Sequence, residues 1–138
     1  MQRKATARWA GDLKSGTGSL RVESGTLDAP FSFQSRFEQG GGTNPEELLG
    51  AAHAGCYSMA LSHALASAGH HPTSVETTAT VQLEGLAITR IDLVTHGVVP
   101  GLSAADFQRF AEETKTGCIV SRALSAVPMT LTATLASA

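Results

Sequence analysis

Cysteine is almost missing from this chain: its 138 residues hold two, Cys56 and Cys118. Charge is thin as well, with Asp, Glu, Lys and Arg together at 16% and a formal net charge of -2. Lys and Arg form no cluster, so a phosphate-reading surface, and with it a nucleic-acid partner, is not expected. No apolar run approaches the ~18 residues that a bilayer span requires, so no membrane partner is expected either. Internal repeats, low-complexity tracts and linkers are lacking, which predicts a single domain over residues 1–138. The opening Met1-Gln2-Arg3-Lys4-Ala5-Thr6-Ala7-Arg8 has the charge of a secretory leader, but no apolar segment follows it. The expected compartment is therefore the cytoplasm.

A hydrophobic content of 42% is enough for a real core. Ala5, Ala7 and Trp9 alternate with Lys4, Thr6 and Arg8, the two-residue period of a half-buried strand. After the Gly16-Thr17-Gly18 turn signal, Leu20 and Val22 alternate with Arg21 and Glu23. Phe31 and Phe33 predict a third short strand, ended by Gly40-Gly41-Gly42. A long helix follows, with Thr43 or Asn44 as N-cap, Pro45 in the first turn and Glu46 or Glu47 completing a capping box. It should run to Ser67 or Ala68 and stop at Gly69. With so little charge between Leu48 and Ala68, this helix is expected to be buried on most sides. Val75–Glu84 and Ala87–Val99 read as long strands. Ser103 caps a second helix that ends at Gly117, and Cys118 begins a short extra turn to Leu124. Met129, Leu131, Ala133 and Leu135 alternate with threonines in a last strand. Two groups of strands around one apolar helix predict an α+β fold with antiparallel sheets.

The two thiols are the chemistry-bearing residues. In reducing surroundings a permanent disulfide is not the default, and a cysteine pair there is more often catalytic, redox-sensing or metal-bound. Redox catalysis is the favoured reading, against a structural bridge worth roughly 4 kcal/mol by loop closure. Only a thiolate is nucleophilic. Cys118 follows a helix stop and opens another turn, where backbone N–H groups stabilise negative charge. Cys56 lies mid-helix in apolar surroundings, where burial raises a thiol's pKa unless a cation is supplied. Arg36 is the best local candidate, oriented by a bidentate pair with Glu46. Arg8, Arg21 and Arg122 stand behind it. Ten residues separate Glu46 from Cys56, about 15 Å of straight helix. Glu46 and Arg36 can then serve Cys56 only if the helix is broken or if they come from another subunit. The second option is preferred, and it predicts a homodimer.

The block from Thr43 through Cys56 to Ser62, with Arg36-Phe37-Glu38 and Gly117-Cys118-Ile119-Val120-Ser121, strongly resembles the OsmC/Ohr family of osmotically inducible and organic hydroperoxide resistance proteins. The resemblance spans nearly the whole chain, and the Glu46-Glu47-Leu48-Leu49-Gly50-Ala51-Ala52-His53-Ala54 wording is similar to the OsmC branch. It implies an intertwined homodimer with sheets around long central helices. It also implies a cysteine-based peroxidase that reduces organic hydroperoxides, and hydrogen peroxide as a further candidate, in oxidative or osmotic stress defence. By matching position, Cys56 is the attacking cysteine, Cys118 the resolving one, and Arg36 and Glu46 the activating pair. No metal or cofactor is implied, and an external dithiol, with lipoyl-type dithiols as candidates, closes the cycle. Close relatives often carry proline after the second cysteine, where this chain has Ile119.

Other readings compete. Phe31, Phe33, Leu48, Met59, Phe107 and Phe110 could line an alkyl pocket, although such stripes are more often core. His53-x-x-Cys56 hints at a metal site or a Cys-His nucleophile, but the remaining histidines lack ligand spacing. An ordinary hydrogen-bonded histidine at a packed interface is the better expectation for His53. Glu46 also has a plainer reading as a mere helix cap and Arg36 as a solvated charge, with the catalytic reading preferred for both. The non-enzymatic alternative is a stress protein that binds a lipid-like small molecule.

Overall fold

A computed structural model describes residues 1–136. Its elements are strands β1 (Ala5–Ala10), β2 (Thr17–Val22) and β3 (Asp28–Phe31), helices α1 (Phe33–Phe37) and α2 (Pro45–Ser67), and strands β4 (Ser74–Glu84) and β5 (Ala87–Val98). Helices α3 (Ala104–Gly117) and α4 (Ile119–Ala123) and strand β6 (Met129–Leu135) complete it. The class is α+β, as the alternation of strand and helix signals predicts. The chain divides into two compact units, Met1–Leu48 and the remainder from Leu49.

The first unit is an antiparallel sheet in the order β1-β2-β3. The Trp9 and Phe31 rings pack 5.3 Å apart on it. Phe33 does not extend β3 as the sequence pattern predicts; it opens α1. Ser32 takes the N-cap position, accepting from the Ser35 N–H while Ser35 Oγ accepts from the Ser32 N–H. That reciprocal box outweighs the strand preference of an isolated Phe.

The second unit holds a three-stranded sheet in the order β4-β5-β6. β4 and β5 pair antiparallel over a long register from Ser74↔Val98 to Glu84↔Ala87. β6 joins β5 in parallel, Ile91↔Met129 to Gly97↔Leu135. Alternation specifies which face is buried and not which way a strand runs, so this pairing was not legible from the pattern. Parallel pairing requires a crossover, and α3 and α4 form it between β5 and β6.

The core of this unit joins Tyr57, Leu61 and Leu65 of α2, Ile91 and Leu93 of β5, Val99, and Phe107, Phe110 and Ala111 of α3, with Cys118 among them. Gly97 is required where it stands, because a Cβ there would enter the Phe107 ring. Gly50 likewise lets α2 approach β4, where an added Cβ would lie 3.0 Å from the Ala79 carbonyl. Gly69, at φ +88°, stops α2 where the sequence places the stop. The burial expected for α2 is corrected. His53, Tyr57, Leu61 and Leu65 are buried, while Ala51, Ala52, Gly55 and Met59 are exposed, Met59 by 76%. Low charge marks a helix that avoids water, but one sheet and one helix cover only one of its sides.

Candidate active site

The site residues expected from sequence form two pairs, one in each unit. In the first unit, Ser35 Oγ donates to the Thr43 carbonyl at 2.7 Å and Asn44 Nδ2 donates to the Ser35 carbonyl at 3.1 Å. These bonds tie α1 to the start of α2 and bring Arg36 to Glu46. Arg36 Nε lies 3.2 Å from both Glu46 oxygens and its Nη2 lies 2.7 Å from Oε1. Glu46 is buried, whereas the Arg36 side chain keeps 39% of its surface and rests over the Phe37 ring at 5.2 Å. Capping falls to other residues. Asn44 Oδ1 accepts from the Glu47 N–H at 2.8 Å, and Glu47 binds the Thr43 hydroxyl at 2.8 Å. Glu46 is thus free to hold the guanidinium, whose planar fork matches a carboxylate.

In the second unit, Cys56 of α2 and Cys118 come together. Their sulfurs are 3.1 Å apart and share one hydrogen bond across 62 positions of sequence. Both are free thiols. Cys118 closes α3 and is the N-cap residue of α4, with φ -57° and ψ 136°. Ile119 opens α4 and is 76% exposed.

The two thiols are pushed in opposite directions. Burial raises Cys56, as does its neighbour Cys118, and the N–H groups of Val120 and Ile119 only partly offset this. Burial would raise Cys118 too, but its polar surroundings, the Ser121 backbone first, then the Cys56 and Ser121 side chains and the Val120 backbone, bring it below its ordinary value. This agrees with the settings read from sequence: mid-helix for Cys56, the start of a turn for Cys118.

A second polar rung lies beside the sulfurs. His53 is one helical turn before Cys56 and Ser121 one turn after Cys118. His53 Nε2 and Ser121 Oγ meet at 2.7 Å, both residues buried. The expectation of a satisfied histidine holds for one ring nitrogen only, because Nδ1 is buried with no hydrogen-bond partner among the described residues. Ser121 was not singled out from sequence, although the matching spacings His53-x-x-Cys56 and Cys118-x-x-Ser121 are the signal that two helices meet in two rungs. Phe107 and Phe110 belong to the core, so the alkyl-pocket reading of these two gives way to packing. Among the described residues no three His, Cys, Asp or Glu side chains are gathered as metal ligands.

These features define an α+β protein with a paired-thiol centre. The chain belongs to the OsmC family: the family model described as OsmC-like protein matches residues 38–132. It is 49% identical over 131 residues to Peroxiredoxin OsmC of Escherichia coli strain K12, covering 91% of this chain and 92% of that protein. The fold is similar to the crystal structure of an OsmC-like protein from Mycoplasma pneumoniae, with TM-score 0.76, 13% identity and 99% of each chain covered. It is also similar to the organic hydroperoxide resistance protein OhrB of Bacillus subtilis, with TM-score 0.70, 21% identity, and 99% of this chain and 98% of that one covered. None of the described helices is long and apolar enough to cross a membrane.

Proposed function

We propose that this protein is a thiol peroxidase of stress defence that reduces organic hydroperoxides to alcohols through a cycle of Cys56 and Cys118. The observation that carries the reading is the 3.1 Å approach of the two sulfurs, each from a different helix and each reduced. The 49% identity to a protein named a peroxiredoxin supports it.

The Cys56 thiolate attacks the terminal oxygen of R–O–O–H. The S–O bond forms as the O–O bond breaks, and the departing alkoxide takes a proton and leaves as the alcohol. The sulfenic acid on Cys56 is then attacked by the Cys118 thiolate: the S–S bond forms, the S–O bond breaks and hydroxide leaves as water. An external dithiol, for which lipoyl-type dithiols are candidates, reduces the disulfide and restores both thiols. The cycle draws on no metal or bound cofactor.

Cys56 needs help to ionise, because burial opposes its charge. In this reading the Arg36 guanidinium, held by Glu46, stabilises the Cys56 thiolate and the charge developing on the peroxide oxygens. Helix α2 is unbroken from Pro45 to Ser67. Ten residues at about 1.5 Å each lie beyond the reach of one glutamate. In this reading the pair acts from a second subunit of a homodimer.

The test is a titration. One equivalent of cumene hydroperoxide should be consumed with loss of both thiols and no change in mass beyond the loss of two hydrogens. Unchanged thiols with peroxide remaining would refute a peroxidase and favour a binding protein for a lipid-like ligand.

A further inference from the structure

The peroxide cycle leaves a cation of the second unit unused. Arg122, which the sequence offers as a fallback for the thiols, instead lines a cleft of about 510 Å³, and neither Cys56 nor Cys118 is among the residues lining it. That volume lies within the range of sites that hold small molecules. The end of α3 contributes Lys115 to the cleft, and the turn after α4 contributes Ser125. Val127, Pro128 and Met129, leading into β6, give it an apolar side.

The charges of this cleft are unequal. Arg36, Arg90 and Arg109 each pair with a carboxylate, whereas Arg122 pairs with none among the described residues. Lys115 Nζ lies 3.3 Å from Glu112 Oε2, so these two offset each other and the cleft carries the single positive charge of Arg122. The Ser125 side chain is exposed and makes no hydrogen bond among the described residues, which leaves its hydroxyl able to donate. The lining is fixed before any ligand arrives. The Arg122 N–H donates to the Cys118 carbonyl, the Val127 N–H to the Leu124 carbonyl and the Ile91 N–H to the Pro128 carbonyl, each at 2.9 Å. Groups placed in advance lower the ordering cost of binding.

We propose that this cleft binds a small amphipathic monoanion, a carboxylate on a short alkyl chain. The planar guanidinium of Arg122 matches the two carboxylate oxygens, and Ser125 adds a donor beside it. The alkyl chain lies along Val127, Pro128 and Met129, where its burial adds to the affinity. The site is separate from the peroxide cycle and does not rest on it: no thiol lines the cleft, and binding makes and breaks no covalent bond.

The experiment titrates the isotope-labelled full-length chain, kept reduced, with sodium octanoate and follows its backbone amides by NMR. Saturating shifts should centre on Lys115, Arg122, Ser125 and Met129 and leave Cys56 unmoved. Arg122→Gln should weaken binding about tenfold, the scale of a lost charge-assisted hydrogen bond. Acetate, which lacks the chain, should bind at least about tenfold more weakly than octanoate. Absence of saturating shifts overturns the proposal, as does a response centred on Cys56, which would place octanoate at the thiols. Octylammonium binding as tightly as octanoate would reveal a merely apolar groove, and inorganic phosphate doing so a plain anion patch; either result overturns it. Unchanged octanoate affinity in Arg122→Gln overturns it as well. Should Arg122→Gln not fold, Lys115→Glu is read in its place. Reversing that charge should weaken octanoate binding by at least about tenfold, and parent-like binding overturns the proposal.

Discussion

Cys56 and Cys118 bring the same thiol into opposite settings, and the difference lies in the backbone rather than in the side chain. Cys56 sits in the middle of a 23-residue helix, where its own backbone N–H is committed to the preceding turn. Cys118 sits at a break between two helices, where the backbone of Ser121 and Val120 helps to hold its thiol below the ordinary value. Burial opposes charge on both, and only Cys118 has local donors enough to overcome it. A pair built this way holds one thiol whose charge its surroundings favour and one whose charge they oppose, and in the proposed cycle the cation Arg36 makes up the difference. The division suits a cycle in which the dependent thiol reacts only when its site is complete.

The largest expected effect separates the two cysteines by role. Cys56→Ser should lower peroxide reduction by on the order of a thousandfold or more, the scale of losing a nucleophile. Cys118→Ser should consume one equivalent of peroxide and stop at a sulfenic acid that dimedone traps. Full turnover by Cys56→Ser would erase the distinction. Next in size is Arg36→Gln, which should slow the attack of Cys56 about a hundredfold, as removal of one charge-stabilising donor does. Its effect on the alkylation profile of Cys118 should be small. Stopped-flow peroxide consumption measures the first quantity, and a Cys118 profile that moved as far as the rate would show that one cation governs both thiols.

The smallest effect concerns stability. Burial holds the folded pKa of His53 below its ordinary 6.5, so on acidification the unfolded chain takes up a proton that the folded chain does not. The stability tied to neutral His53 is intact above about pH 6.5 and is lost as pH falls below it. Urea midpoints should therefore drop between about pH 7 and about pH 5 more steeply in the parent chain than in His53→Gln, which does not titrate. Equal slopes would mean that the buried ring does not remain neutral.

Much of this arrangement was legible in residue order, because its signals are local. Pro45 after Asn44, Gly69, Ser103 and the alternating threonines before Leu135 place α2, α3 and β6 without reference to the rest of the chain. The Arg36–Glu46 pair and the meeting of Cys56 with Cys118 were also anticipated. What escaped depends on tertiary context. Phe33 has a strand-former's side chain, yet the Ser32–Ser35 box makes it the first residue of a helix. The direction of β6 follows from the α3–α4 crossover, which alternation does not encode. The exposed side of α2 has the same Ala, Gly and Met composition as a buried one. Ser121 is a common residue whose meaning appears only once it stands opposite His53.

The central claim is tested most directly by peptide mapping of the chain, without reduction, after one equivalent of cumene hydroperoxide. The account predicts that the peptides carrying Cys56 and Cys118 are recovered joined, and that differently labelled subunits mixed beforehand yield the joined pair within one chain. Recovery of both peptides unlinked and unoxidised, or of a bond between Cys56 residues of two chains, would contradict it.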